Sequence, residues 1–76
     1  MPFIHVRAYA GRDKQTQMNA AKAIADAASE AMNTPLTAFT VIYEEVDKEV
    51  WDAEIAQKEI APRKDKILID HGVPVE

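Results

Sequence analysis

The chain has 76 residues, enough for a single small domain over residues 1–76. Its 13 acidic and 9 basic side chains give a net charge of −4, which argues against nucleic acid and against an anionic membrane as partners. The absence of cysteine excludes disulfides, thiolate metal sites and cysteine nucleophiles, so self-association is the remaining means of stabilising so small a fold.

The first predicted element is a strand from Phe3 to Tyr9. Its side chains alternate, with Ile4, Val6 and Ala8 on one face and larger or polar residues on the other. The apolar face therefore needs a covering element. Glycine at position 11 marks a turn after the strand.

A helix is predicted next, from Asp13 to Met32. Asp13 suits the N-cap position, and seven alanines lie between Ala20 and Ala31. Apolar residues recur at helical spacing along it, so one stripe of the helix is predicted to cover a sheet face. The segment 33–35, Asn-Thr-Pro, ends the helix.

A second strand is predicted from Ala38 to Tyr43, where β-branched and aromatic residues are dense. Strand, helix and strand form a βαβ unit, in which the strands are parallel and the crossover is right-handed. Two strands alone do not form a stable sheet in water, and Phe3 and Tyr9 remain on the face away from the helix. The predicted fold class is therefore α+β (α/β): a βαβ subunit with one long crossover helix, whose sheet is completed by oligomerisation.

The composition changes after the second strand. A short C-terminal helix is predicted from Lys48 to Ala61, with Trp51 and Ile55 one turn apart. The apolar residues 67–69 indicate a short strand or a docking arm, and His-Gly at 71–72 indicates a turn. No apolar run reaches the length of a membrane span and the N-terminus does not resemble a secretory signal, so a cytoplasmic location is predicted.

Pro2 is the first candidate for chemistry. Removal of Met1, which a small second residue permits, exposes a secondary amine that can act as a base. Burial of such an amine among apolar side chains lowers its pKa, and Phe3, Phe39 and Trp51 are candidates for that environment. The alternative is an ordinary proline at the start of a strand.

Two further residues suit a ligand site. Arg12, in the turn between strand and helix, carries a guanidinium fork that fits a carboxylate, although a solvated turn residue or an ion pair with Asp13 is the plainer alternative. Trp51, the only tryptophan, is a pocket wall or a packing anchor. His5 and His71 have no partner at ligand spacing, and no glycine-rich phosphate loop is present, so neither a metal nor a cofactor is expected.

Taken together, these segments resemble the 4-oxalocrotonate tautomerase family. The resemblance rests on an amino-terminal proline, chain length and the βαβ pattern, and its segments are Met1–Val6, Gly11–Arg12, Pro35–Thr37 and Phe39–Glu45. The later segment 46–68 resembles the longer-tailed bacterial tautomerases, which are typically dimeric.

The resemblance implies a cofactor-independent isomerase that interconverts keto and enol forms of a small 2-oxo or enol carboxylic acid. Pro2 would be the general base, Arg12 would engage the substrate carboxylate, and Trp51 would be an aromatic pocket wall. Thr40 falls where the hexameric members have a second arginine, so a monoacid such as an arylenolpyruvate fits better than a diacid. The implied assembly is a homo-oligomer, with a dimer favoured over a hexamer and sites lined partly by the neighbouring chain.

Two alternatives remain open at this point. The chain could be a non-catalytic oligomeric binding module of the same fold, which the absence of the arginine at Thr40 favours. It could also catalyse a related hydration, dehalogenation or decarboxylation of a small unsaturated acid.

Overall fold

A parallel pair of strands joined by a long helix forms the first part of the chain. The computed structural model describes residues 1–75, and Glu76, the last residue of the predicted domain 1–76, lies outside the described residues. The elements of this part are β1 (Phe3–Tyr9), α1 (Lys14–Met32) and β2 (Thr40–Val46). The strands pair in parallel, so the predicted βαβ unit and α+β fold class are confirmed.

The first strand and the helix have the bounds that the sequence predicts. The alternation along β1 is observed, with Ile4, Val6 and Ala8 half-buried beneath α1. Asp13 is the N-cap, because its carboxylate accepts a hydrogen bond from the Thr16 backbone N–H at 2.8 Å. Hydrogen bonds from the side chain and the backbone amide of Thr16 hold the pKa of Asp13 below its ordinary value.

The second strand differs from its predicted bounds of 38 to 43. Pro35 precedes a single 3₁₀ turn, Leu36–Ala38, and β2 begins only after this turn, at Thr40. At the other end β2 continues through Glu44 and Glu45 to Val46. The density of β-branched and aromatic residues predicts the strand only to Tyr43, whereas the segment Phe39–Glu45 that carries the family resemblance includes both glutamates.

The C-terminal part lies over the sheet face opposite α1. Helix α2 (Lys48–Trp51) leads directly into a π-helical segment (Asp52–Ile60), whose wider turn is seen in the bond between the Gln57 amide and the Asp52 carboxylate, five residues apart, at 2.6 Å. The predicted helix from Lys48 to Ala61 is therefore present but changes its winding after its first turn. Ile55, 3% exposed, is the one buried side chain among residues 1–75.

A small hairpin follows the helical segments. After a 3₁₀ segment (Ala61–Lys66), strands β3 (Ile69–Asp70) and β4 (Val73–Pro74) pair antiparallel. The predicted turn at 71–72 joins them, and its two residues have φ of 49° and 80°, the pair of positive values that a two-residue type I′ hairpin turn requires. None of the helices that the structure describes combines the length and the apolarity needed to cross a membrane.

Candidate active site

Pro2 lies half-buried at the beginning of the sheet. Its carbonyl accepts a hydrogen bond from the Thr40 backbone N–H at 3.2 Å, which ties the first residues of the chain to the start of β2. Phe3, next to Pro2, is opposite Thr40 in the sheet register and is 61% exposed. Two of the predicted site residues, Pro2 and Thr40, are therefore neighbours at one end of the sheet.

Arg12 lies at the other end of β1, in the turn that leads to α1. Its Nη1 donates to the Tyr9 carbonyl at 3.0 Å and lies 3.9 Å from Glu45 Oε2. The turn needs glycine at position 11, because that residue has φ +135°, a conformation that residues with a Cβ rarely adopt. The guanidinium is half exposed, and in the part of the chain that the structure describes both its contacts involve Nη1, leaving Nε and Nη2 for a ligand.

Glu45 holds this turn in place and was not singled out from the sequence as a site residue. Its side chain is only 14% exposed, and its Oε1 accepts from the backbone N–H groups of Gly11 at 2.9 Å and Arg12 at 3.3 Å. Alternation along β2 places Glu45 on the same face as α1, and this alternation is the one sequence signal that could have placed it near the turn.

Trp51 stands at the same end of the sheet as Arg12. Its ring meets the ring of Tyr9 edge-on, with centroids 4.9 Å apart. Tyr9 therefore contacts both predicted site residues, Arg12 through its carbonyl and Trp51 through its ring. The sequence predicted Tyr9 on the open sheet face but did not indicate its link to either residue.

The four predicted site residues form two groups at opposite ends of β1. One group contains Pro2 and Thr40, and the other contains Arg12 and Trp51. Seven residues of extended strand separate them, a span of about 23 Å. A small-molecule site that uses both groups therefore needs two copies of the chain.

A charged cluster crosses the sheet between these ends. Glu44 lies 2.5 Å from His5 Nε2 and 3.3 Å from Arg7, while Glu59 lies 3.5 Å from Arg7 and 3.3 Å from Arg63. Arg7 Nε lies 3.1 Å from His5 Nε2 and 3.3 Å from Glu44 Oε1, so the imidazole and the carboxylate share one guanidinium nitrogen. Each cation of the cluster has a carboxylate partner, which makes it a poor anion site.

An open groove of about 470 Å³ runs between α1 and β2 on the other side of the sheet. Its lining is mainly apolar: Met18, Ala21, Lys22, Ala25, Asp26, Leu36, Phe39 and Val41. Lys22 and Asp26 are its two ionisable lining residues. Within residues 1–75 no three His, Cys, Asp or Glu side chains are grouped as a metal site requires.

Comparisons with known proteins give the family. The sequence profile of the family described as "Tautomerase enzyme" matches residues 2–54, which is most of the chain. No curated protein matches the sequence. The crystal structure of TomN, a 4-oxalocrotonate tautomerase homologue in the tomaymycin biosynthetic pathway, superimposes with a TM-score of 0.64 at 33% identity, over 84% of this chain and 95% of that chain.

The residues matched by the profile include the whole βαβ unit, with Pro2, Arg12 and Thr40. The profile and the superposition confirm the resemblance inferred from the sequence and support a tautomerase-type function. On these grounds the chain belongs to the tautomerase family, with the fold of its 4-oxalocrotonate tautomerase-like members.

Proposed function

We propose that the chain is a cofactor-independent tautomerase that interconverts keto and enol forms of a small 2-oxo acid, with Pro2 as general base after removal of Met1. The observation that carries the proposal is the position of Pro2: the family match begins at this residue, and its ring is half-buried at the start of the sheet. Met1 is fully exposed and thus accessible to an aminopeptidase.

The separation of the two residue groups supports a site shared between protomers. Among residues 1–75 no strand other than β2 pairs with β1, so two copies can pair their outer β1 edges antiparallel about a two-fold axis. That pairing places the start of one β1 beside the end of the other, so Pro2 of one protomer faces Arg12 and Trp51 of its partner. It also extends each two-stranded sheet to four strands.

The small number of buried side chains in the single chain also supports a homodimer. Large apolar side chains remain exposed on the sheet and helix surfaces, among them Phe3, Tyr9, Met18, Met32, Leu36 and Ile42. A monomer of this size seldom leaves so much apolar surface in water, and a homodimer would cover part of it.

The chemistry then needs only this chain's own side chains. The neutral Pro2 nitrogen takes the proton from the carbon next to the substrate carbonyl, the carbonyl oxygen becomes the enolate, and the proton is returned to that oxygen. Ketonisation is the reverse sequence. The partner's Arg12 binds the substrate carboxylate through the free Nε and Nη2 atoms, and a positioned base of this kind contributes roughly 10² to 10⁴-fold.

Thr40 favours a monoacid substrate. It lies beside Pro2, where a second cation would stabilise a second carboxylate or the enolate oxygen, and its hydroxyl is neutral. An arylenolpyruvate, with one carboxylate and an apolar ring that can lie against Trp51, fits these residues better than a dicarboxylic acid.

The test begins with the intact mass of the purified protein. Loss of Met1 is expected, since a retained Met1 makes the Pro2 nitrogen an amide without a basic lone pair and contradicts the proposal. Ketonisation of an arylenolpyruvate is then measured for the wild type, Pro2→Ala and Arg12→Ala. We expect Pro2→Ala to lower kcat by about 10² or more, with residual activity from its primary amine, and Arg12→Ala to raise KM by about tenfold or more.

Lys58→Ala is the control for Arg12→Ala. Lys58 is 66% exposed and pairs with Glu54 one helical turn away, so its removal should leave kcat and KM unchanged. Unchanged activity in Pro2→Ala would overturn the assigned base. Product analysis with halogenated and unsaturated acids distinguishes a hydratase, dehalogenase or decarboxylase from a tautomerase.

The neutral Thr40 also favours one alternative, a non-catalytic binding module of the same fold. In that case the wild type would bind a 2-oxo acid through Arg12 without turning it over, and Pro2→Ala would bind it equally well.

A further inference from the structure

We propose that Glu45 is a positioning residue that fixes Arg12 for the substrate carboxylate. The role of Arg12 in this inference rests on the proposed function. The restraint of Arg12 by Glu45 rests on the contacts that Glu45 makes. Glu45 is one of the least exposed charged side chains of the chain, although it belongs to neither of the two residue groups described above.

Glu45 continues the sheet beyond the last residue of β1. The ladder ends with the Ala10 backbone N–H donating to the Val46 carbonyl at 3.0 Å. The next two N–H groups, of Gly11 and Arg12, donate to the Glu45 carboxylate instead. A charged acceptor makes stronger hydrogen bonds with backbone N–H groups than a neutral one. The Glu45 carboxylate therefore holds the turn against β2 beyond the point where the backbone pairing of β1 and β2 ends.

The carboxylate is itself held from the other side. Tyr43, two residues earlier on the same face of β2, places its hydroxyl 3.4 Å from Glu45 Oε2. That same oxygen is 3.9 Å from Arg12 Nη1. Glu45 therefore restrains both the backbone and one guanidinium nitrogen of Arg12, and it does so from the side opposite the free Nε and Nη2 atoms.

Glu45 has two opposite effects on the affinity of Arg12 for a ligand's carboxylate. Fixing the turn reduces the conformational entropy that Arg12 loses when it binds a ligand, which strengthens binding. The negative charge 3.9 Å away competes with the ligand's carboxylate for Nη1, which weakens it. Positioning predicts that removal of the carboxyl group weakens binding even though a competing charge is lost.

The variants Glu45→Ala and Glu45→Gln distinguish these effects. Glu45→Ala removes both the acceptor that fixes the turn and the negative charge. Glu45→Gln keeps an oxygen that can accept hydrogen bonds from the Gly11 and Arg12 N–H groups and removes only the charge. Glu44→Ala is the matched control, because Glu44 is adjacent, lies on the opposite face and pairs with His5 and Arg7.

Two measurements are made on each variant: KM and kcat with an arylenolpyruvate, and Kd for the corresponding arylpyruvate by NMR titration. We expect Glu45→Ala to raise KM and Kd about tenfold with kcat within about threefold of wild type, and Glu45→Gln and Glu44→Ala to stay within about threefold in both. Amide hydrogen exchange at Gly11 and Arg12 should accelerate in Glu45→Ala alone.

The same substitution in an Arg12→Ala background decides whether Glu45 acts through Arg12. Positioning predicts no further loss in the double variant, whereas a general loss of packing predicts the same loss in both backgrounds and would overturn the proposal. If Glu45→Ala does not fold, Gly11→Ala strains the turn without touching the carboxylate and is expected to raise Kd in the same way.

An unchanged Kd in a folded Glu45→Ala also refutes the positioning role. A wild type that binds the arylpyruvate without turnover refutes the tautomerase activity and leaves the Glu45 measurement intact through Kd. A wild type that neither binds nor reacts overturns both proposals.

Discussion

The rings of Tyr9 and Trp51 meet edge-to-face, with an interplanar angle of 88°. Tyr9 is the last residue of β1 and Trp51 the last residue of α2, so this contact fastens the C-terminal segment to the sheet. Tyr9 also accepts a hydrogen bond from Arg12 through its carbonyl, so this one residue links the C-terminal segment to the turn where the proposed substrate site lies.

Replacing Trp51 should therefore affect stability and binding together. Trp51→Ala removes a half-buried ring and its edge-to-face pair, and we expect it to lower the free energy of unfolding by about 2 kcal/mol, against less than about 1 kcal/mol for Trp51→Phe. Urea denaturation followed by circular dichroism, at one fixed protein concentration, measures the difference. Equal loss in both variants would contradict an aromatic pairing role.

Ile55 anchors the C-terminal segment more directly. It is the buried side chain of the π-helical segment, and Ile55→Ala should lower the free energy of unfolding by about 2–4 kcal/mol. Leu68→Ala is the control, because Leu68 is 76% exposed and its loss should change stability by less than about 0.5 kcal/mol. A small effect of Ile55→Ala would mean that the segment does not depend on this contact.

The elements that local pattern and capping define were predictable from the sequence. The β1 alternation and the Asp13 cap carry their own signals over a few residues, and both are observed. Residue composition alone did not predict the end of β2, because Glu44 and Glu45 have their partners more than thirty residues away, His5 for one and the Gly11 turn for the other.

The site was predictable as a set of residues but not as a geometry. Pro2, Arg12, Thr40 and Trp51 follow from the family resemblance, whereas their division into two groups depends on where each lies along β1. The role of Glu45 depends on its carboxylate accepting the backbone N–H groups of Gly11 and Arg12 in place of a backbone carbonyl. No sequence motif predicts a contact of this kind.

The N-cap of α1 predicts a pH dependence of stability. Because the hydrogen bonds from Thr16 depress the pKa of Asp13 in the folded state below the ordinary 3.8, the cap stabilises the protein above that pH and its contribution is lost as pH falls through the depressed value. The thermal midpoint of the wild type should exceed that of Asp13→Ala at neutral pH, and the difference should shrink below about pH 4.

Asp13→Asn is the matched variant for this experiment. Asparagine keeps an acceptor for the Thr16 N–H but cannot titrate, so its advantage over Asp13→Ala should not change with pH. A difference between wild type and Asp13→Ala that is constant from pH 7 down to about pH 2 would show that the carboxylate charge has no part in the cap.

A site shared between two protomers makes a prediction that no single-chain site can satisfy. At a substrate concentration well below KM, Pro2→Ala and Arg12→Ala are each expected to keep at most about a tenth of the wild-type rate, and in a homodimer of either variant both sites lack one group. In a mixed dimer, one site combines Pro2 of the Arg12→Ala chain with Arg12 of the Pro2→Ala chain and is intact, while the other site lacks both.

Unfolding and refolding equal amounts of the two variants together produces mixed dimers as half of the population, so activity should return to about a quarter of the wild-type value. Light scattering of the same sample gives the number of chains. If the mixture is no more active than its separate components, although chains have exchanged as judged by mass-tagged subunits, then Pro2 and Arg12 do not meet across an interface and the antiparallel pairing of β1 is wrong.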